Sequence, residues 1–392
     1  MRIWIGFWKQ RCAAALIWIC ALTVLASAAT PPKYLITNDD ALLSNSATFY
    51  SIGANGLLRL DQQVLTGGVG IAGGYFSTAR LALLDGNTQQ CVYASDAFTG
   101  DIVGIDVNTF TVGGTSSGSP TDSGNANGIG LAVNSQYLYA SFTTSNTIAT
   151  FQVETGCSLT FVNDVSVVGL QGGFIDGMAV RGNIMVVTYG DGSIESFDIS
   201  SGAPVSNGDE QNSTGYSKSQ GASYPNSVEI TKDGRYALFG DTATSSVVEV
   251  SEIGPSRLSK TSVYTLGAAI NSSNILLSPD ESLLYISNTE GDTISAAFFD
   301  SSTGKLAPGC TSGKLRGYSV SWSYSGELSL GSNTGTGSVI YAAEFGPTSS
   351  IGMIAVTSNG GTCTLTELLQ SPVSDANSPG LLSITSFPPR SF

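Results

Sequence analysis

The sequence predicts an all-β fold: a seven-bladed β-propeller of four-stranded antiparallel blades, its ring closed by the C-terminal strand pairing into the N-terminal blade. Three observations predict it. One strand motif recurs seven times, at intervals of 46 to 58 residues. Only 12% of residues are charged, and the polar positions fall to Ser, Thr, Asn and 47 glycines, a composition for short strands and tight turns rather than helices. The two ends of the chain read as complementary fragments of one repeat unit.

The recurring strand is "YLITND" (34–39), "VYASD" (92–96), "LYASF" (138–142), "VVTYG" (186–190), "ALFGD" (237–241), "LYISN" (284–288) and "VIYAAE" (339–344). Aligned on Thr37, Ser95, Ser141, Thr188, Gly240, Ser287 and Ala343, the steps are 58, 46, 47, 52, 47 and 56. That period, with several strands per unit, belongs to a propeller and not to a helical solenoid. Before the motif runs an apolar segment ending in a turn, as in "LALLDGN" (81–87), "GLAVNSQ" (130–136), "GMAVRGN" (177–183), "VEITKDGR" (228–235) and "ILLSPDES" (275–282). After it come a polar loop and a third strand, as in "IVGIDV" (102–107), "TIATFQV" (147–153) and "TISAAFF" (293–299), then a Gly-containing turn and a weaker fourth strand. Strands covered on both faces by neighbouring blades explain apolar runs in place of strict alternation.

Closure follows from the ends. The chain's first motif, "YLITND", lacks the strand that precedes it elsewhere, while "SPGLLSITSF" (378–387) is such a strand with no motif after it. Pairing the two completes the first blade and leaves no open sheet edge. The least regular stretch is "GYSVSWSYSGELSLGSNTGTGS" (317–338), so a six-bladed ring with one decayed unit is the alternative.

Residues 1–28 read as a secretory signal peptide and 29–392 as a single propeller domain. Arg2, Lys9 and Arg11 precede an apolar stretch, "CAAALIWICALTVL" (12–25), and Ala26-Ser27-Ala28 supplies a small-residue cleavage site. The stretch is short for a membrane span, and an uncleaved N-terminal anchor is the rival reading. Bulky Ile19 before Cys20 argues against lipid attachment. The expectation is a secreted or periplasmic monomer with no membrane span after cleavage. Losing three basic and no acidic residues takes the net charge from −14 to −17, and with no basic cluster nucleic acid and anionic lipid are poor partners.

Four cysteines then remain, Cys91, Cys157, Cys310 and Cys363, which permit two disulfides in three pairings, or four buried thiols. Repeat position narrows the choice. Cys157, Cys310 and Cys363 fall in the turn between third and fourth strands of blades three, six and seven. Cys91 opens the motif strand of blade two, on the same face. Cys91–Cys157 and Cys310–Cys363 would each staple adjacent blades.

The rhythm "LLSPDESLLYISNTEGDTISAAFFDSSTGKL" (276–306) resembles the seven-bladed lactonase-type propellers, the family of 6-phosphogluconolactonase and carboxymuconate cycloisomerase. The similarity extends over residues 34–387 and lies in blade-building positions. It implies the propeller fold and lactone chemistry performed by a His with Arg and Glu near the central channel. This chain has no histidine to fill that role.

The same absence bears on Gly114-Thr115-Ser116-Ser117-Gly118, which spells G-x-S-x-G. That pattern needs a strand-to-helix turn and a His, whereas these residues open a Gly/Ser/Asn loop over 113–128. Gly68-x-Gly70-x-x-Gly73 spells a dinucleotide fingerprint without the helix that would receive a pyrophosphate, and reads as a loop between blades. No cofactor and no metal are called for: there is no His, no paired-Cys spacing and no D-x-D-x-D-G run.

The candidate ligand-binding residues are Asp39, Asp96, Asp191, Asp241 and Glu344, which follow the motif strands toward one face of the ring. Asp176, Asn127 and Asn226 join them from inter-blade loops. Such carboxylates can act as acid and base or hold a cation or a sugar; they can equally cap turns. Arg80 and Glu229, on innermost strands, are candidate channel-facing charges or members of a structural ion pair. No residue is assigned a catalytic role. Three functional readings stand: a ligand- or partner-binding scaffold that takes a small molecule, sugar or protein on its loop-rich face; a sugar-lactone hydrolase or isomerase using channel carboxylates and Arg; and a repeat domain of a surface assembly. The binding readings favour Tyr- and Asn-bearing loops such as 212–226.

Overall fold

The computed structural model describes residues 33–72, 80–86, 88–117, 129–212, 225–241, 247–254, 257–265, 272–288, 291–317, 324–334, 337–345, 349–375 and 383–388. The leader, Asn127 and most of 212–226 lie outside the described residues. Seven antiparallel sheets form the ring. From the axis outward, blade 1 is Ser383–Phe387, Tyr34–Asn38, Ser46–Ile52 and Leu58–Leu65; blade 2 is Leu81–Asp85, Gln90–Asp96, Asp101–Asp106 and Thr111–Ser117. Blade 3 is Ile129–Val133, Tyr137–Phe142, Thr147–Val153 and Leu159–Ser166. Blade 4 is Ile175–Arg181, Ile184–Tyr189 and Ser193–Asp198, with an outer edge broken into Val205–Ser206 and Gln211–Asn212. Blade 5 is Pro225–Ile230, Tyr236–Asp241, Val247–Ile253 and Leu258–Thr265, and blade 6 is Ser272–Leu277, Leu283–Asn288, Thr293–Asp300 and Lys305–Thr311. Blade 7 is Tyr324–Thr334, Gly337–Phe345 and Ser350–Asn359, with Thr362–Glu367 and Val373–Ser374 at its edge.

The motif strand is the second strand of every blade. Its middle is fully buried because each sheet face packs on a neighbour. The buried apolar side chains of the described residues accordingly divide into seven clusters, one at each blade interface. Closure is of the kind the chain ends predict: Tyr34 pairs Phe387 and Asn38 pairs Ser383. Leu35 and Ile384 then pack against Tyr341 and Met353 of blade 7. The irregular stretch 317–338 contributes the innermost strand of blade 7, and its register slips twice against the second strand. The ring therefore has seven blades.

Among the described residues the only helix is one 3-10 turn, Thr155–Cys157, and no helix is long and apolar enough to cross a membrane. Both disulfides have the pairing read from repeat position, Cys91–Cys157 and Cys310–Cys363, each with Cα atoms 5.6 Å apart. Placement needs one correction. Cys157 does lie in the turn before a fourth strand, but Cys310 and Cys363 lie within the fourth strands of blades 6 and 7. A second correction concerns the G-x-S-x-G segment: Thr111–Ser117 is the outer strand of blade 2, so the loop begins later than position 113.

Candidate functional site: the face reached by the motif strands

In each blade the motif strand runs antiparallel to the innermost one, so its C-terminal end and the start of the innermost strand share a face. Register divides the candidate carboxylates. Asp96, Asp241 and Glu344 stand directly after the aligned positions Ser95, Gly240 and Ala343, still within their strands. Asp39 and Asp191 lie one or two residues further, in the loops. These registers meet different partners.

The densest network sits where blades 1 and 2 meet. Asp39, fully buried, accepts hydrogen bonds from Thr37 Oγ1 (2.6 Å), Ser46 Oγ (2.5 Å), Thr48 Oγ1 (2.7 Å) and Gln63 Nε2 (3.3 Å). Burial raises its pKa, and these donors oppose the rise. Beside it, Asp40 and Arg80 form an ion pair of 2.5 Å between side chains that are each 1% exposed. Asp40 Oδ1 also accepts the Ile71 amide at 3.0 Å. The backbone of Arg80 is held too: its N–H donates to Ser383 Oγ at 3.0 Å, and its carbonyl accepts the Ser95 N–H at 3.1 Å. Asn45 Nδ2 (2.8 Å) and Thr66 Oγ1 (2.7 Å) donate to Asp96 Oδ1. Asp96 Oδ2 is buried with no hydrogen-bond partner. Burial is the main reason the Asp96 carboxyl is pushed up to about 6, with the charges of Asp101 and Asp40 adding and the two hydrogen bonds opposing.

The glycine-rich loop owes its glycines to this network. A Cβ on Gly68 would sit 2.3 Å from Asp96 Oδ2, and one on Gly70 would sit 2.2 Å from the Asp40 carbonyl carbon. Close approach to the Asp96 carboxylate and to the Asp40 backbone, not a nucleotide, accounts for these two glycines; Gly73 lies outside the described residues.

Glu344 is 1% exposed. Ser350 Oγ donates to its Oε2 at 2.6 Å, and its Oε1 is buried without a partner. Burial pushes its carboxyl up to about 7; Glu367 and Asp292 add, while Ser350 and the Arg316 charge oppose. Asp191 is the opposite case. Burial would raise it, but the Ser193 side chain and the amides of Gln171, Ser193 and Gly173 donate to it and hold it below its ordinary value. This is a carboxylate closing a turn. Asp176 is buried on the innermost strand of blade 4, and Glu229 is half-buried on that of blade 5. Asp241 and Asn226 have described backbone, but their side chains lie outside the described residues.

The structure thus joins Asp39, Asp96 and Arg80 at one blade junction and leaves the others apart from it, Asp176 and Asp191 in blade 4, Glu229 in blade 5 and Glu344 in blade 7. Among the described residues no group of three or more acidic or cysteine side chains could hold a metal ion. The sequence reading missed Asp40, the ion partner of Arg80, although the Asp39-Asp40 doublet follows the first motif directly. It also missed Glu195, which accepts from Tyr189 Oη at 2.8 Å.

A family model described as Lactonase, 7-bladed beta-propeller, matches residues 115–373. A search of curated proteins finds no match. Among solved structures, a functionally unknown protein from Desulfotomaculum acetoxidans is similar with a TM-score of 0.64 at 15% identity, over 91% of this chain and 99% of its own. A candidate 6-phosphogluconolactonase from Bacteroides fragilis gives 0.62 at 14% identity, over 92% and 99%. Another from Bacteroides uniformis gives 0.51 at 14%, over 70% and 79%. Identities this low speak to the fold alone.

Proposed function

The chain belongs to the lactonase family of seven-bladed β-propellers, and from that premise we propose that it is an exported, monomeric scaffold that binds a small ligand on the face bearing Asp96 and Glu344, without histidine-dependent catalysis. One observation carries the reading: the Arg80 guanidinium, needed to polarise a lactone carbonyl, is held by Asp40 with both side chains at 1% exposure. Catalysis of lactone opening needs a base for water and a cation or donors for the developing oxyanion, all within reach of one bound substrate. Asp39 and Asp191 carry three or more donors each, which leaves little of either carboxylate open to a substrate proton. The two disulfides fit an extracytoplasmic protein.

A second reading, a sugar-lactone hydrolase, draws on a specific observation. Asp96 and Glu344 each keep one buried oxygen without a partner, and burial pushes their carboxyls up to about 6 and about 7, the range of a general base. Both are as buried as Arg80, so a substrate would reach either only if the loops above it opened. The substrate would be an unphosphorylated lactone, because a chain of net charge −14 is a poor host for a phosphate.

Incubating the purified protein with a panel of sugar lactones, beside Asp96→Asn and Glu344→Gln variants, decides between them. The scaffold reading expects ring opening at the uncatalysed rate in all three. Turnover that either variant abolishes would establish the hydrolase.

A further inference from the structure

On the opposite face, between blades 3 and 4, lies a cleft of about 470 Å³. Its walls are the turns that join the innermost and second strands of both blades. Val133 and Val180 provide apolar surface over buried Ile199, Tyr137 stands beside them, and Gln136 and Asn183 line the cleft from the two turns. We infer that this cleft is a binding site for a neutral saccharide of one or two rings, distinct from the carboxylate-bearing face.

Charge sets the class of ligand. The chain carries 30 acidic residues, yet no carboxylate lines this cleft. Its one cation, Arg181, is turned aside, with Nε and Nη2 donating to the Lys232 carbonyl at 3.2 and 2.8 Å. A cationic ligand would find no counter-ion and an anionic one only Arg181, two of whose donors are already committed to the Lys232 carbonyl, whereas a hydroxylated ring would find both surfaces it needs. Its C–H face is apolar and packs on an aromatic ring and aliphatic side chains. Its hydroxyls both donate and accept, as a side-chain amide does. Among the described residues the side-chain amides of Gln136 and Asn183 make no hydrogen bond, so both are open to a ligand.

The aromatic wall is fixed in advance. Asn134 Oδ1 accepts the backbone N–H groups of Gln136 (2.9 Å) and Tyr137 (2.8 Å), which sets the turn. The Tyr137 ring lies 6.4 Å from that of Tyr139, whose hydroxyl donates to the Gly202 carbonyl at 2.9 Å. Gly202 has φ +91°, and a Cβ there would come within 2.8 Å of the Tyr137 ring, so only glycine lets the ring seat in this way. A ring already held costs little entropy to engage.

The test is calorimetric titration of the intact protein with cellobiose, maltose and N,N′-diacetylchitobiose. At least one gives saturable heat at millimolar concentration or below. Tyr137→Ala weakens that binding about tenfold, the loss of one stacked ring, while Tyr137→Phe preserves it. Gln136→Ala and Asn183→Ala each weaken it several-fold, and they carry the test if Tyr137→Ala fails to fold, because both side chains are exposed. Leu43→Ser, on the far face, leaves it unchanged. Absence of saturable heat with all three sugars, or binding indifferent to both amide variants, overturns the site.

Discussion

Arg80 and Asp40 show what a single buried contact does in this fold. Removing one partner strands the other as an uncompensated charge, at a cost of about 3–5 kcal/mol. Arg80→Met is therefore expected to lower the thermal midpoint sharply, and adding Asp40→Asn to recover much of the loss; a double variant no better than the single would show that the pair is not the cause. Asp96 behaves differently, since its folded pKa is raised above the unfolded value of 3.8 to about 6. A carboxyl of that kind contributes stability that is complete below the unfolded value and is lost as pH rises through the folded one. Asp96→Asn keeps a neutral group at all pH values. Its thermal midpoint should gain on the wild type by the equivalent of on the order of 2–3 kcal/mol between about pH 4 and pH 8. A constant difference between the two proteins across that range would refute the assignment. The sequence offers a structural ion pair as one reading of Arg80 but not its partner, and there an Asp just past a strand reads alike as turn cap, buried acid or ligand. Register was the missing information: Asp96 and Glu344 end inside the sheet, while Asp191 closes a turn.

At the scale of elements, more could be read. Strand order, the seven-unit count and the disulfide pairing follow from repeat position, because equivalent positions in adjacent blades are neighbours in space. Two details did not follow. Cys310 and Cys363 sit in paired outer strands whose weak, Gly- and Thr-rich sequences resemble turns, and the same polarity hid the strand through Thr111–Ser117. Outer strands lack a second packed face, so little apolar pattern marks them. Each bridge joins two consecutive blades across 66 or 53 residues of chain. Loop-closure entropy makes each worth about 2–4 kcal/mol. The Cys310→Ser/Cys363→Ser double variant should melt earlier than wild type under non-reducing conditions, and reductant should lower the wild-type midpoint while leaving a variant lacking both bridges unmoved. A double variant that melts with the wild type would remove the bridge from the stability account.

Across the whole molecule, stability hangs on one short strand. Ser383–Phe387 is the innermost strand of blade 1 and the neighbour of blade 7, where Ser329 Oγ and Ser386 Oγ stand 2.5 Å apart. Ile384, 1% exposed, packs with Leu35, Tyr341 and Met353 across the closing interface. No other interface joins chain ends so distant in sequence, so it is formed only when both termini have arrived, and its loss opens the ring instead of denting it. Ile384→Ala should cost about 2–5 kcal/mol, as a buried aliphatic truncation does. Ending the chain at Asp375 should do more, leaving Tyr34–Asn38 as an unpaired edge with an apolar face, a template for association. Size-exclusion chromatography of that truncated protein should show aggregate or oligomer in place of monomer, and adding a synthetic peptide of residues 378–392 should restore monomer in part. A truncated chain that stays monomeric, with the wild-type midpoint, would mean that the first blade holds without its inner strand and that the circle is not what keeps the blades in place.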